Sequence, residues 1–161
     1  MMEKTEKYRL LERQVAALVE GETDVIAKMA NVAAVLHETF GFWWTGFYRV
    51  VPVGSVGEPV EPPSPCELVL GPFQGPVACM HIPFGKGVCG TAWKRNETVV
   101  VPDVEQFPGH IACSSASRSE IVVPVHGPDG AVTAVLDIDS DRLATFDEED
   151  RVWLEKIVKL V

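Results

Sequence analysis

Three thiols, Cys79, Cys89 and Cys113, fall within the 35 residues from 79 to 113, and three carboxylates, Glu120, Asp137 and Asp139, follow them. Thiolates attack electrophilic sulfur, and the sulfenic acids and disulfides that result can be reduced back to thiols. Crowded carboxylates bind a cation or hold protons at raised pKa. Together they point to a redox site facing a cation pocket, within a stretch running from Leu70 to Ser140.

Among the thiols, Cys113 opens Cys113-Ser114-Ser115-Ala116-Ser117, which reads as a short helical turn. A thiol at a helix N-terminus has its thiolate stabilised by exposed N–H groups. His110, three residues upstream, is placed to add charge or move a proton. Cys89 is a rival, since it also precedes a short helix and lies among glycines. Cys79 lies within a strand and has no such help. The competing readings are three buried cysteines, or zinc held by the pairs Cys79/His81 and His110/Cys113, the first of which is spaced more tightly than usual. Cys66, at the edge of a proline-rich segment, reads as incidental.

The carboxylates gain meaning from a hairpin. Glu120–His126 and Ala131–Asp139 flank Gly127-Pro128-Asp129-Gly130. Closing the turn across residues 127 and 130 predicts Val125 opposite Val132, Val123 opposite Ala134, Ile121 opposite Leu136 and Glu120 opposite Asp137, with Asp139 two residues further on the same face. Three like charges at one strand end need full solvation, raised pKa values or a cation, either a hard metal ion or an organic ammonium.

The positioning elements are legible around this stretch. Tyr8, Leu11, Val15 and Leu18 predict a helix over about 3–19, ended by Gly21; Val25, Met29, Val32, Leu36 and Phe40 predict a second, capped by Thr23 and stopped by Gly41. His37 reads as a surface or helix-end residue. Phe42–Val51 is a strand with Trp44, Gly46 and Tyr48 on one face and Trp43, Thr45 and Phe47 on the other, more aromatic surface than one buried face accounts for. The proline-rich segment Pro52–Pro65 is a connecting loop. Short strands are expected at 67–70, 77–82 and 98–101, and a short helix at 91–95. Gly85-Lys86-Gly87-Val88-Cys89-Gly90 lacks the context of a nucleotide loop. Pro102–Ser119 is long and irregular, as functional loops often are. Thr145-Phe146-Asp147-Glu148 reads as a capping box opening a last helix, with Trp153, Ile157 and Leu160 facing the core. The fold class is α+β: a central antiparallel sheet with the N- and C-terminal helices packed on one face.

At 161 residues one domain is expected over 1–161, large enough to bury a core. A net charge of -9 argues against nucleic acid and anionic membrane surfaces, and no apolar run is long enough to span a bilayer. The charged start, Met1-Met2-Glu3-Lys4, lacks a signal-peptide core, so a cytoplasmic location with reduced thiols is expected.

Several segments jointly resemble the free methionine-(R)-sulfoxide reductases, which are stand-alone GAF domains: Trp44-Thr45-Gly46-Phe47-Tyr48, Leu70-Gly71-Pro72-Phe73-Gln74-Gly75, Gly87-Val88-Cys89-Gly90-Thr91-Ala92, Gly109-His110-Ile111-Ala112-Cys113, Ser119-Glu120-Ile121-Val122 and Leu136-Asp137-Ile138-Asp139-Ser140. The resemblance covers nearly the whole chain. It implies that Cys113 attacks the substrate, Cys79 is the main resolving cysteine and Cys89 an auxiliary one. It assigns the substrate amino group and proton transfer to Glu120, Asp137 and Asp139. It sets Trp44 and Tyr48 around the methyl sulfoxide, and Gln74, Ile111 and Ala112 among the binding positions, with backbone amides near Ile111–Cys113 receiving the carboxylate. It further implies a homodimer, thioredoxin as reductant, and no cofactor or metal. The Pro52–Pro65 loop is longer than the family leads one to expect, and Cys66 is extra. A small-ligand or redox-sensing GAF module without turnover is the competing class; a chain of this length leaves no room for an effector, which favours the enzyme.

Overall fold

The hairpin that carries two of the chemistry-bearing strands forms over β5 (Ser119–His126) and β6 (Val132–Ser140). In the computed structural model, which describes residues 1–54 and 65–161, they belong to an antiparallel sheet with β1 (Trp44–Pro52), β2 (Cys66–Gln74), β3 (His81–Pro83) and β4 (Val99–Val101), in spatial order β3-β2-β1-β6-β5-β4. The β5–β6 register differs from the expected one by two residues. Val125 faces Ala134, Val123 faces Leu136, Ile121 faces Ile138 and Glu120 faces Asp139, because an irregularity at Val125/His126 sets His126 against Val132. A shift of two keeps every side chain on its expected face.

Helices α1 (Lys4–Val19), α2 (Val25–Phe40) and α4 (Glu148–Ile157) cover one face of the sheet, as the α+β reading requires. Tyr8, Leu11 and Val15 from α1 and Met29, Val32 and Leu36 from α2 are buried there with Phe47, Ile121, Val123, Leu136 and Ile138. Leu18 and Val25, at the ends of their stripes, stay exposed. The α2 cap is Asp24 rather than Thr23: its carboxylate accepts the N–H groups of Ile26 and Ala27 at 2.8 and 3.0 Å. The α4 capping box is Asp147 with Asp150, two residues beyond the expected start. Thr145 is diverted from capping because its hydroxyl donates to Ser140 Oγ at 2.7 Å. Lys4 and Tyr8 both bond Asp150, Tyr8 at 2.7 Å, which pins α1 against α4.

The opposite face is also buried, so both aromatic faces of β1 are core. Helix α3 (Gly87–Arg95) lies there, with Val88, Cys89 and Ala92 against Trp44, Tyr48, Leu68, Val122 and Val135. It starts four residues earlier than expected, which places Cys89 inside its first turn. Strand β2 continues through the expected 71–76 turn to Gln74, and β3 is confined to His81–Pro83. The proline-rich connection joins β1 to β2, whose ends pair as Pro52 with Cys66; residues 55–64 lie outside the described residues. His37 is half-buried, its Nδ1 fully enclosed with no hydrogen-bond partner. No helix among the described residues is long and apolar enough to cross a membrane.

Candidate active site

Glu120 on β5 and Asp137 and Asp139 on β6 point towards α3 and line one pocket with Cys89, Trp44 and Tyr48. The neighbours of these carboxylates in sequence, Ile121, Leu136 and Ile138, point to the helical core. Strand alternation alone therefore delivers three acids to one cavity. Glu120 and Asp137 are 5% and 6% exposed; Asp139 is partly exposed.

Burial pushes all three carboxylates well above the ordinary carboxylate range, because charge there is poorly solvated. Their mutual repulsion acts in the same direction: Asp139 on Glu120, Glu120 on Asp137, and Asp137 on Asp139. The Ser117 hydroxyl donates to Asp139 Oδ1 at 2.6 Å and moderates the rise there. His110 lies beside the cluster, its Nε2 3.7 Å from Glu120 Oε2, and partial burial lowers its own pKa, so it favours the neutral form. Asp137 Oδ1 is buried without a hydrogen-bond partner. The pocket floor thus favours keeping protons and carries one unsatisfied acceptor, a pattern suited to receiving a donor-rich cation.

Two aromatics form a wall. Trp44 and Tyr48 stack with centroids 6.0 Å apart, and Trp44 stacks on Phe73 at 5.3 Å. Gly46 makes this possible, since a Cβ there would lie 2.5 Å from the Trp44 ring. Indole Nε1 donates to the Pro76 carbonyl at 3.0 Å, and the Tyr48 hydroxyl donates to the Cys79 carbonyl at 2.9 Å. Burial, reinforced by Asp137, keeps that hydroxyl protonated. The two side chains therefore also hold the loop that presents Cys79.

Cys79 and Cys113 are joined by a disulfide with Cα atoms 5.4 Å apart. That bond removes both cysteines from the zinc pairings, and His81 instead pairs with Glu67 at 2.8 Å. Cys113 is exposed and Cys79 half-buried. The residues after Cys113 form a turn closed by Ala116 N–H to Ser114 Oγ, not a helix, so no helix N-terminus serves that thiol. Cys89 does sit in a helical first turn, but burial and the carboxylates Asp137 and Glu120 raise its pKa, and its thiol donates towards Glu120 Oε1 at 4.0 Å. Desolvation and like charge outweigh the helix end there.

Most of the expected site residues converge. Cys79, Cys89, Cys113, Glu120, Asp137, Asp139, Trp44 and Tyr48 meet at the pocket or its rim, and Ile111 joins them. Gln74 and Ala112 are exposed and do not line it. The Cys113 N–H is already bonded to the Ile111 carbonyl at 3.1 Å, which leaves less of the expected anion receptor free. Sequence reasoning missed Lys86, Ser117 and the wall residues Trp43, Val77 and Ala78. Lys86 was visible only as part of a glycine-rich loop, and Ser117 only as a member of a serine-rich run.

A curled antiparallel sheet with three helices on one face and a pocket beneath α3 on the other is the arrangement of a GAF domain, and the sequence pattern of that family matches residues 22–161. The chain is 51% identical to GAF domain-containing protein A of Dictyostelium discoideum, covering 98% of this chain and 92% of that protein. It is 44% identical to the free methionine-R-sulfoxide reductase of Escherichia coli, over 98% and 87% of the two chains. The X-ray structure of free methionine-R-sulfoxide reductase from Neisseria meningitidis in complex with its substrate superposes with a TM-score of 0.88 at 51% identity, covering 99% of this chain and 89% of that one. The chain belongs to the free methionine-R-sulfoxide reductase family of GAF domains.

Proposed function

We propose that the protein reduces free L-methionine-(R)-sulfoxide to L-methionine. The observation that carries this reading is a disulfide at the mouth of a pocket whose floor is three proton-holding carboxylates. The substrate ammonium docks on Glu120, Asp137 and Asp139, satisfying the unpaired Asp137 Oδ1. Its methyl sulfoxide lies against Trp44 and Tyr48, and its carboxylate is directed to the Ile111 side of the pocket and Lys86.

In the reduced enzyme the Cys113 thiolate attacks the sulfoxide sulfur, and a proton held in the carboxylate cluster moves to the departing oxygen. The balance of this step is one thiol plus one sulfoxide giving methionine and a Cys113 sulfenic acid. Cys79 then attacks that sulfur, releasing water and forming the disulfide. A dithiol protein of the thioredoxin type exchanges the disulfide back to two thiols and is itself oxidised. Cys113 takes the nucleophile role over Cys89 because its exposure keeps a thiolate hydrated, whereas Cys89 is buried among acids. We further propose a cytoplasmic homodimer, in keeping with the family.

The test is methionine release from each epimer of free methionine sulfoxide, with thioredoxin, its reductase and NADPH for recycling. Turnover confined to the R epimer is expected. A protein that binds either epimer and releases no methionine is a sensory module instead.

A further inference from the structure

The route proposed through Cys113 and Cys79 leaves one thiol on the pocket floor without an assigned step, that of Cys89. That residue is 4% exposed and faces Glu120 and Asp137. One ligand atom from each of Cys89, Glu120 and Asp137 lies within 4.8 Å of the others, and all three residues are buried. Asp137 is only 6% exposed, and its Oδ1 has no hydrogen-bond partner. A closed sulfur–oxygen–oxygen triangle with an unsatisfied acceptor is a donor set for an ion.

We propose that Cys89, Glu120 and Asp137 form a site for a thiophilic divalent cation, with Zn²⁺ as the representative ion, and that the bound ion excludes the substrate. Zinc takes thiolate sulfur at about 2.3 Å and carboxylate oxygen at about 2.0–2.2 Å, with four ligands in a tetrahedron. Ligand atoms around such an ion stand roughly 3.5 Å apart, so edges of at most 4.8 Å close by no more than about 1.3 Å, within the reach of side-chain rotation. His110 Nε2 lies 3.7 Å from the other Glu120 oxygen and outside the triangle, so the fourth position falls to water. Mg²⁺ and Ca²⁺ fit poorly, since they require oxygen shells of six or more. Asp139 is outside the set because Ser117 already bonds it. Two of the ion's ligands, Glu120 and Asp137, are two of the three carboxylates assigned to the substrate ammonium. Ion and substrate therefore exclude one another, a consequence that rests on the ammonium reading above; the ion site itself does not.

The disulfide makes the site testable in isolation. The chain has four cysteines, and Cys79 and Cys113 are joined, so Cys66→Ser leaves Cys89 as the remaining thiol. Oxidised protein carrying Cys66→Ser is titrated calorimetrically with ZnCl₂, and in parallel with CoCl₂, whose sulfur-to-metal charge-transfer absorption reports thiolate ligation. One ion per chain is expected, with the charge-transfer band present. Cys89→Ser on that background should abolish the band and weaken zinc binding at least tenfold. Asp137→Asn should weaken it by a similar factor while circular dichroism shows the fold retained. Absence of stoichiometric binding, or binding unchanged in both variants, overturns the site. Methionine-(R)-sulfoxide should raise the apparent zinc Kd in proportion to its concentration. Zinc bound with the expected ligand dependence but indifferent to the sulfoxide keeps the ion site and overturns its exclusion of substrate, along with the ammonium assignment.

Discussion

Ile121 and Glu120 are neighbours on β5, as are Leu136 and Asp137 on β6, yet each pair divides between the two faces of one sheet. On the helical face the side chains are apolar, fully buried and packed against three helices. Each such residue contributes about 1.5–3 kcal/mol by leaving water. On the other face the same strands bury carboxylates beside a thiol, with one acceptor unsatisfied. Burial there costs stability instead of supplying it. The contrast teaches that the helical face holds the sheet rigid so that the pocket face can keep groups that would not fold alone. The strand period of two residues sends the acids to the pocket face, beside its own apolar core of Val122 and Val135, and their sequence neighbours to the helical face.

Breaking either side of that contrast has different consequences. Cys113→Ser should abolish methionine formation completely, even in a single turnover, while leaving the unfolding midpoint of the reduced protein unchanged. Single-turnover product analysis with prereduced protein checks it, and a retained burst lost only in Cys89→Ser would transfer the nucleophile role. Leu136→Ala, one residue from Asp137 but on the helical face, should destabilise the fold by about 2–5 kcal/mol. The kcat of the protein still folded should stay near wild type, which urea unfolding and assay below the transition together measure.

A pH series sharpens the comparison further. Carboxylates whose folded pKa is raised hold protons that the unfolded chain gives up above roughly pH 4. The native state then binds more protons than the unfolded one, so their contribution to stability falls as pH rises through the folded values. Asp137→Asn cannot ionise and should show a smaller fall with pH and a higher urea midpoint at pH 7, although it loses activity. The smallest effect is expected from Tyr48→Phe, which removes the hydroxyl bond to the Cys79 carbonyl, worth about 0.5–1.5 kcal/mol. Disulfide closure after the sulfenic acid should slow roughly two- to tenfold, read by quenched-flow mass spectrometry, with methionine release unaffected.

The parts of this molecule legible in the sequence were those with a period. Helical spacing of Tyr8, Leu11 and Val15, and strand alternation around Glu120, Asp137 and Asp139, assigned both faces even though the hairpin register was two residues off. An even slip preserves faces, and the irregularity at Val125/His126 that caused it leaves no compositional mark. Capping positions were misread where polar residues cluster, because Thr145 and Asp147 are both competent caps and only tertiary contact with Ser140 decides between them. The segment 102–118 has no period, so Ser117 and the turn after Cys113 were illegible. The burial that raises the pKa of Cys89 depends on what α3 packs against, which local pattern does not encode.

Recognition of a free ammonium group by the buried carboxylates is tested most directly by comparing kcat/KM for free and N-acetyl methionine-(R)-sulfoxide with the intact enzyme. Acetylation removes the charge and hydrogen-bond donors that satisfy Glu120, Asp137 and Asp139, and leaving them unpaired costs at least ~2–3 kcal/mol, or roughly 30- to 150-fold in specificity. A loss of that size or greater is the predicted result; equal kcat/KM for the two compounds would contradict it.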